Sequence, residues 1–253
     1  MYGHAYLAPS PYRTHEHFGS FYAQKDSLGN IIGLGSWFWK IPSEGLKPER
    51  RISNDFNTIY QINSQLAVSI AFYYGKMYNL FSFRYLEGLT FHNVPVATIG
   101  EVINEGKSIA YGGTVRLDYL DRFGNMAINC FAAFSYSDGK IGDNPITNTS
   151  KYILKVGFGV SYQNNINLYA KLQYRDKAHL YNSTFDNPIF IEPITYINIT
   201  ASAKIINTEN FKLSLFSTIT NLTNARYYMP GYSEFPLIPQ DPIRINFGIK
   251  IDL

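Results

Sequence analysis

Residues 243–253 read Ile243-Arg244-Ile245-Asn246-Phe247-Gly248-Ile249-Lys250-Ile251-Asp252-Leu253. Every odd position in this stretch is apolar, and every even position is polar or glycine. Because side chains alternate between the two faces of a β-strand, the pattern predicts a strand with one apolar and one polar face. The stretch is about twice as long as the usual strand of a globular protein. It matches the roughly 9–11 residues that a tilted strand needs to cross a bilayer.

The same alternation recurs along the chain. We predict ten strands, over residues 1–8, 51–61, 66–80, 108–119, 125–138, 151–162, 166–176, 196–206, 211–220 and 243–253. Short turns at 62–65, 120–124, 163–165 and 207–210 alternate with long loops at 9–50, 81–107, 139–150, 177–195 and 221–242. In a meander of such strands, all short turns lie at one end and all long loops at the other. We therefore predict an all-β fold, an antiparallel up-and-down transmembrane β-barrel portion with short periplasmic turns, long extracellular loops and a periplasmic C-terminus.

Composition favours the same class of protein. Charged residues are 16% of the 253, against about 25% in ordinary soluble domains. Aromatic residues are also 16%, and several fall near strand ends, where interfacial girdles form: Tyr119, Phe123, Tyr136, Tyr162, Tyr174, Tyr196 and Phe211. The net charge of +3 is too small to indicate a nucleic-acid partner. The single cysteine, Cys130, excludes an internal disulfide and a Cys-based zinc cluster.

The alternation also predicts which side chains share a face. The lipid-facing set is Leu154, Val156, Phe158, Ile197, Ile199, Ile205, Ile245, Phe247 and Ile249. The basic residues of polar parity are Arg51, Arg116, Lys151, Lys155, Lys171, Arg175, Lys204, Lys212, Arg244 and Lys250, and the acidic ones are Asp55, Asp118 and Asp252. The excess of basic over acidic residues predicts a polar face that attracts anions. An equally open alternative is that these basic side chains form ion pairs with material that fills the barrel lumen.

Four segments resemble the C-terminal part of a TonB-dependent outer-membrane receptor. They are YGHAYLAPS at 2–10, GLKPER at 45–50, NLTNARYY at 221–228, and Pro242-Ile243-Arg244 leading to Phe247-Gly248-Ile249. The chain departs from the family at Leu7, where arginine is frequent, and at Leu253, where the family usually ends in an aromatic residue. Pro9, Pro48, Asn221 and Asn224 also have a structural interpretation, as residues that end strands or form turns.

The resemblance implies a 22-stranded barrel around a plug domain, of which residues 1–253 are one C-terminal segment. Met1 is not followed by a signal peptide, so we expect a fragment or a processed piece. The implied function is a share in the uptake of a ferric siderophore or a similar large anionic nutrient, with the isolated piece inactive. The implied partners are outer-membrane lipid, the missing plug and N-terminal barrel strands, the TonB system through that plug, and a siderophore-like ligand.

Aromatic and basic residues are the candidate ligand contacts, since aromatic rings above a basic funnel suit an anionic organic ligand. These residues are Trp37, Trp39, Arg116, Lys171, Arg226, Tyr227, Tyr228, Tyr232 and Arg244. Packing of the loop rings on one another is the alternative. His15-Glu16-His17 offers metal-binding side chains without further ligands at a helpful spacing, so we predict no metal site. There is no cofactor fingerprint, and we expect neither a cofactor nor an enzyme.

Two other functions stay open at this point. One is a self-contained ten-stranded outer-membrane pore or surface protease, in which His179 would meet Asp138, Asp176 or Asp186. The other is a soluble β-rich binding module, for which the predicted strands are too long and the loops too one-sided.

Overall fold

The computed structural model describes residues 1–180, 189–208, 210–231 and 237–252. The first elements are β1 (Tyr2–Leu7), α1 (Pro11–Thr14), β2 (Phe18–Lys25), β3 (Ile31–Lys40), β4 (Glu49–Gln61), β5 (Leu66–Tyr78), β6 (Phe81–Phe91), β7 (Val94–Asn104), β8 (Lys107–Phe123) and β9 (Met126–Ile141). They are followed by β10 (Asn144–Pro145), β11 (Tyr152–Tyr162), β12 (Ile166–Arg175), β13 (Ala178–His179), β14 (Phe190–Ile191), β15 (Ile194–Asn207), β16 (Lys212–Thr220), β17 (Tyr228–Pro230), β18 (Leu237–Pro239) and β19 (Arg244–Asp252).

Ten strands form one sheet in the order β1-β4-β5-β8-β9-β11-β12-β15-β16-β19, and the short β10 pairs with β9. These ten strands are the ten that the sequence predicts. The pairing is antiparallel between β1 and β4 and between successive strands from β9 to β19. The fold class is therefore confirmed: the chain is all-β, with an up-and-down sheet of long strands.

The register of this sheet carries one apolar row across six strands. Phe158 of β11 lies opposite Cys130 and Ala170, and the row continues through Ile199, Ile219 and Ile245. Phe158 and Ile245 of this row are exposed, at 46% and 51% of their full accessible surface, and the other members are partly buried. Gly157 and Gly159 on the opposite face are buried. Large apolar side chains exposed on one face of a sheet are the reverse of what a water-soluble sheet shows.

Two details depart from simple alternation. The register between β15 and β16 shifts between Lys204 and Ile206, so Ile206 rather than Ile205 lies opposite Leu213 on the apolar face. Such a bulge inserts one residue and reverses the parity beyond it. Tyr196 also lies opposite Gln173, which in turn is opposite Lys155, and it therefore shares the polar face rather than the apolar girdle.

A second sheet lies within the segments predicted as loops 9–50 and 81–107, so these long connections between strands of the first sheet carry strands of their own. Its order is β2-β3-β7-β6, with β3 and β7 parallel and the other two pairings antiparallel. Val96, Ile99 and Val102 of β7 are buried. Two register shifts interrupt the pairing of β2 with β3, which explains why this hairpin lacks a clean period of two.

Lys40, at the end of β3, fixes the α1 segment to this second sheet. Its side chain is fully buried, and Nζ donates to the carbonyl oxygens of Tyr12, at 2.8 Å, and Glu16, at 2.7 Å. Nζ also lies 4.9 Å from the centre of the Tyr12 ring. Burial lowers the pKa of Lys40 below its ordinary value, and the nearby Glu16 charge opposes that shift.

The base of the second sheet is held by three polar side chains. Asn104 accepts from the amide of Lys47 at 2.6 Å and donates to the carbonyl oxygens of Lys47 and Asn79. Asn79 donates to the Pro48 carbonyl, and Glu49 accepts from the amide of Phe81. These contacts satisfy the backbone where β5 ends and β6 begins, next to Asn79 with its φ of 57°.

The chain divides into two compact units, one of residues 1, 55–74 and 110–253, and one of residues 2–54 and 75–109. In the first unit, the segments predicted as loops carry short strands, and Ala178, Leu180 and Ile191 form a small core with Leu237. Across the described ranges, no helix has the length and apolar content to span a membrane.

Candidate functional site on the polar face of the sheet

The polar face of β8, β9, β11 and β12 carries a closely packed row of side chains. Phe131, Gly157 and Lys171 lie opposite one another on adjacent strands. The guanidinium carbon of Arg116 lies 4.2 Å from the centre of the Phe131 ring, which is a cation–π distance. A Cβ at position 157 would come within 2.2 Å of the Phe131 ring. Glycine at 157 therefore lets the ring lie across the neighbouring strand, where it supports the Arg116 side chain.

A cavity of about 610 Å³ opens beside this row. Its lining includes Arg116, Asp118, Asn129, Phe131 and Tyr169. Arg116 donates to both carboxylate oxygens of Asp118, at 2.6 and 2.7 Å. This paired contact neutralises much of the Arg116 charge, so Arg116 is a weaker attractor of anions than the sequence alone suggests.

Three cations on β11 and β12 form no ion pair with an acidic side chain among the described residues. Lys155, Lys171 and Arg175 are partly buried. Within the described part of the chain, the ion pairs are Arg84–Glu101, Arg116–Asp118, Lys151–Asp138 and Arg244–Asp241, and none of them involves these three residues. Of the ten basic residues of polar parity, the structure thus neutralises Arg116, Lys151 and Arg244. Arg51, Lys204 and Lys212, on other strands, also take no part in these four ion pairs, whereas Lys155, Lys171 and Arg175 lie together on the adjacent strands β11 and β12.

Aromatic rings accompany this charge where the polar face meets the loops. Tyr196 and Tyr227 stack almost in parallel, with ring centres 5.5 Å apart and planes at 6°. Arg175 donates to the carbonyl oxygen of Tyr228 at 2.9 Å and contacts the Met229 sulfur at 2.7 Å. The structure therefore brings the predicted Tyr227 and Tyr228 to the basic polar face. Arg175 and Tyr196 were not among the predicted ligand contacts, although the polar parity of both positions could have found them.

Asn221 fixes the base of the loop that carries these tyrosines. Its side-chain nitrogen donates to the carbonyl oxygens of Ala225 and Asp241, and its side-chain oxygen accepts from the Ala225 amide and the Thr223 hydroxyl. Its own amide donates to Asn198, which lies opposite Lys171. The Asn-Leu-Thr-Asn segment therefore acts structurally here, as a clamp between the loop base and the polar face.

The two predicted tryptophans lie on β3, in the unit of residues 2–54 and 75–109. Trp39 is stacked between Phe21 and Phe91, with both ring centres 4.8 Å away. Trp37 stacks on Tyr22 at 5.3 Å and is 71% exposed. The Trp37 ring is therefore accessible to a ligand, whereas the Trp39 ring packs against its aromatic neighbours.

The remaining predicted contacts are dispersed. Arg226 is exposed, Arg244 pairs with Asp241 at 2.9 Å, and Tyr232 lies outside the described residues.

The described residues show no contact that supports the protease alternative. The His179 ring packs on Phe190 at 4.3 Å, Asp176 accepts from Tyr174, and Asp186 lies outside the described residues. Over the described residues, no group of three or more His, Cys, Asp or Glu side chains could hold a metal ion.

Comparison with known proteins finds no matching family model and no matching curated protein. Solved structures do match. The siderophore receptor PirA from Acinetobacter baumannii superposes with a TM-score of 0.64 at 12% identity, covering 99% of this chain and 38% of that one. The FrpB iron transporter from Neisseria meningitidis (F3-3 variant) gives 0.61 at 14% identity, covering 83% and 32%. The outer membrane transporter YddB from Escherichia coli gives 0.60 at 11% identity, covering 86% and 34%.

The chain spans about a third of the length of these structures. The matched proteins are TonB-dependent outer-membrane receptors and transporters. Likeness at this level of identity concerns the fold, and it agrees with the family that the four sequence motifs resemble. The chain therefore has the fold of a C-terminal barrel segment of a TonB-dependent outer-membrane receptor.

Proposed function

We propose that the chain is part of an outer-membrane receptor that takes up a ferric siderophore or a similar large anionic nutrient. The observation that carries the proposal is the positive charge on the polar face at Lys155, Lys171 and Arg175, for which the described part of the chain supplies no ion pair. A wall with excess charge of one sign raises the local concentration of ligands of the opposite sign. The fold supports the transport class, and the structurally similar siderophore receptor PirA and iron transporter FrpB suggest the ligand class.

The membrane arrangement follows from the two faces of the sheet. The exposed apolar face would contact outer-membrane lipid, and the polar face would line the lumen. With short turns in the periplasm, as in outer-membrane barrels, the C-terminus is periplasmic and the Tyr196–Tyr227 stack lies toward the outside. The missing plug and N-terminal strands would complete the lumen, and the plug would connect to the TonB system.

By itself the 253-residue chain should not transport. Uptake in this family runs through the plug, and none of the motifs here resembles the plug or its energy-coupling box. Ten strands also leave two sheet edges, whose unpaired backbone groups are costly in lipid. We therefore propose that the isolated chain forms an open sheet and depends on further strands for closure.

The test begins with the genomic sequence upstream of the Met1 codon. The proposal expects coding sequence for a plug and further strands, whereas a signal peptide directly upstream would favour a self-contained barrel. Cells that make the longer product should take up a ⁵⁵Fe-labelled catecholate or hydroxamate siderophore. Cells that make only residues 1–253 should not differ from cells without the gene. Uptake by the latter cells would overturn the claim that the isolated chain is inactive.

A further inference from the structure

Arg175 has an unusual set of partners for a guanidinium group. It lies at the end of β12, opposite Ile153 and Ile194 on the polar face. Its acceptors are a neutral carbonyl oxygen, that of Tyr228, and the Met229 thioether sulfur, which is a weak acceptor. Its Nε is buried with no hydrogen-bond partner. A buried donor without an acceptor is costly, and the described residues place no charged acceptor at this guanidinium group.

A second cation lies on the same face within reach of Arg175. Lys155 is directly opposite Gln173, and Arg175 follows Gln173 by two residues on the same strand. Diagonal neighbours of this kind are about 7–8 Å apart at the backbone, within reach of long side chains. Lys155 and Arg175 can therefore converge on one group above Gln173, whose amide supplies a further donor.

The Tyr196–Tyr227 stack forms the adjacent wall. Tyr196 lies directly opposite Gln173, and Ile194, two residues before Tyr196 on the same strand, lies directly opposite Arg175. The stack places a planar apolar surface beside two cations and an amide. Such an arrangement suits a ligand that carries an oxyanion next to an aromatic or other flat group.

We propose that Arg175 and Lys155 form a subsite for a carboxylate or phosphate oxyanion, with the Tyr196–Tyr227 stack as its wall. Guanidinium groups match the geometry of such anions through paired N–H donors. A bound oxyanion replaces the Met229 sulfur as acceptor and satisfies the donors that the protein leaves unused. The inference rests on the proposed function, because it assigns the residues that select the charge of the ligand.

Direct binding of two probes, citrate and inorganic phosphate, tests the subsite. The 253-residue chain is refolded in detergent micelles, and binding is measured by isothermal titration calorimetry and by tyrosine fluorescence. Arg175→Gln should raise the dissociation constant about tenfold or more, since a hydrogen bond to a charged group is lost. Lys155→Gln should weaken binding to a smaller extent, and Arg175→Lys should lie between Arg175→Gln and the wild type. Arg122→Gln, at an exposed cation near the end of β8 and the opposite end of the strands, should stay within about twofold of the wild type.

Folding is controlled by far-UV circular dichroism and by the tryptic digestion pattern of each variant. Absence of binding of both probes to the wild type would overturn the inference, and so would equal weakening by Arg175→Gln and Arg122→Gln. The outcomes also separate the subsite from the proposed function. Siderophore uptake by the longer product that is unchanged in Arg175→Gln would refute the subsite alone. Absence of uptake together with Arg175-dependent citrate binding would refute the transport function alone.

Discussion

Asn221 is 1% exposed, and its side chain holds the loop between β16 and β19 through four hydrogen bonds. Its φ of 54° also lies in the left-handed region, which asparagine tolerates better than branched or bulky residues do. Asn221→Leu should therefore lower the free energy of unfolding by about 2–4 kcal/mol. Urea unfolding of the chain in lipid vesicles measures this loss.

The Asn221 prediction has two matched comparisons. Asn221→Gly removes the same side-chain bonds but accepts the positive φ, so it should be destabilised less than Asn221→Leu. Asn207→Leu changes an exposed asparagine at the end of β15 and should have little effect. Equal stability of Asn221→Leu and Asn207→Leu would contradict the clamp.

The β2–β3 hairpin depends on the ionised form of one carboxylate. Asp26 accepts from the amides of Leu28, at 2.9 Å, and Asn30, at 2.8 Å, and from the Asn30 side chain at 3.0 Å. The Asn30 side-chain hydrogen bond and the backbone hydrogen bonds lower the pKa of Asp26. A lowered folded-state pKa means that the stabilisation is present above about pH 4 and is lost as the pH falls through the folded-state pKa.

Amide hydrogen exchange at Leu28 and Asn30 reports this dependence. Protection of both amides, corrected for intrinsic exchange, should be constant from about pH 7 to 5 and should fall at lower pH. In Asp26→Asn the protection should no longer change with pH across this window. Undiminished protection of the wild-type hairpin at about pH 2 would show that the carboxylate does not hold the turn.

The two faces of β19 should respond very differently to a charge. Phe247 is 81% exposed on the apolar face, opposite Ser217, whereas Asn246 lies opposite Thr218 on the polar face. An arginine on the lipid side costs about 2–4 kcal/mol near the middle of the membrane. Phe247→Arg should therefore impair folding into lipid vesicles far more than Asn246→Arg. Equal folding yields for the two variants would reject the assignment of faces.

At the scale of elements, the sequence predicts what depends on local pattern. The ten long strands follow from a period of two bounded by turn residues, and their register follows from the short turns. The second sheet cannot be predicted from a local pattern, because the parallel pairing of Trp39 in β3 with Ile99 in β7 joins residues that are distant in sequence. The bulge at Ile205 cannot be predicted from the sequence either, because Ile205 and Ile206 are both apolar and either one fits the alternating pattern.

Some features of the candidate site can likewise be predicted from the local sequence pattern, and others depend on the tertiary fold. Lys171 and Arg116 were predictable from parity, but the pairing of Arg116 with Asp118 depends on rotamers that a pattern does not contain. The contact of Arg175 with Tyr228 and Met229 depends on how a loop folds back onto the sheet. Residue type and parity thus predict which face carries charge, whereas the tertiary fold determines which charges stay uncompensated.

For the whole molecule, the exposed apolar face determines the solvent that the chain requires. Apolar side chains of β11, β12 and β19 are open on this face, among them Val156, Leu168 and Ile249. Water-soluble monomers rarely expose a continuous apolar patch above a few hundred Å², and a face that runs across six strands exceeds that size. The chain should therefore aggregate when denaturant is diluted into buffer without detergent.

The same dilution into detergent micelles or lipid vesicles should give a β-rich circular dichroism spectrum and a monodisperse particle. Sedimentation velocity with and without detergent compares the two conditions directly. The physical reason is that detergent or lipid tails cover the apolar face at no cost to the backbone, whose polar groups are paired within the sheet. A chain that stays folded and monomeric in plain buffer would be the soluble β-rich module, and the assignment of its apolar face to lipid would then be wrong.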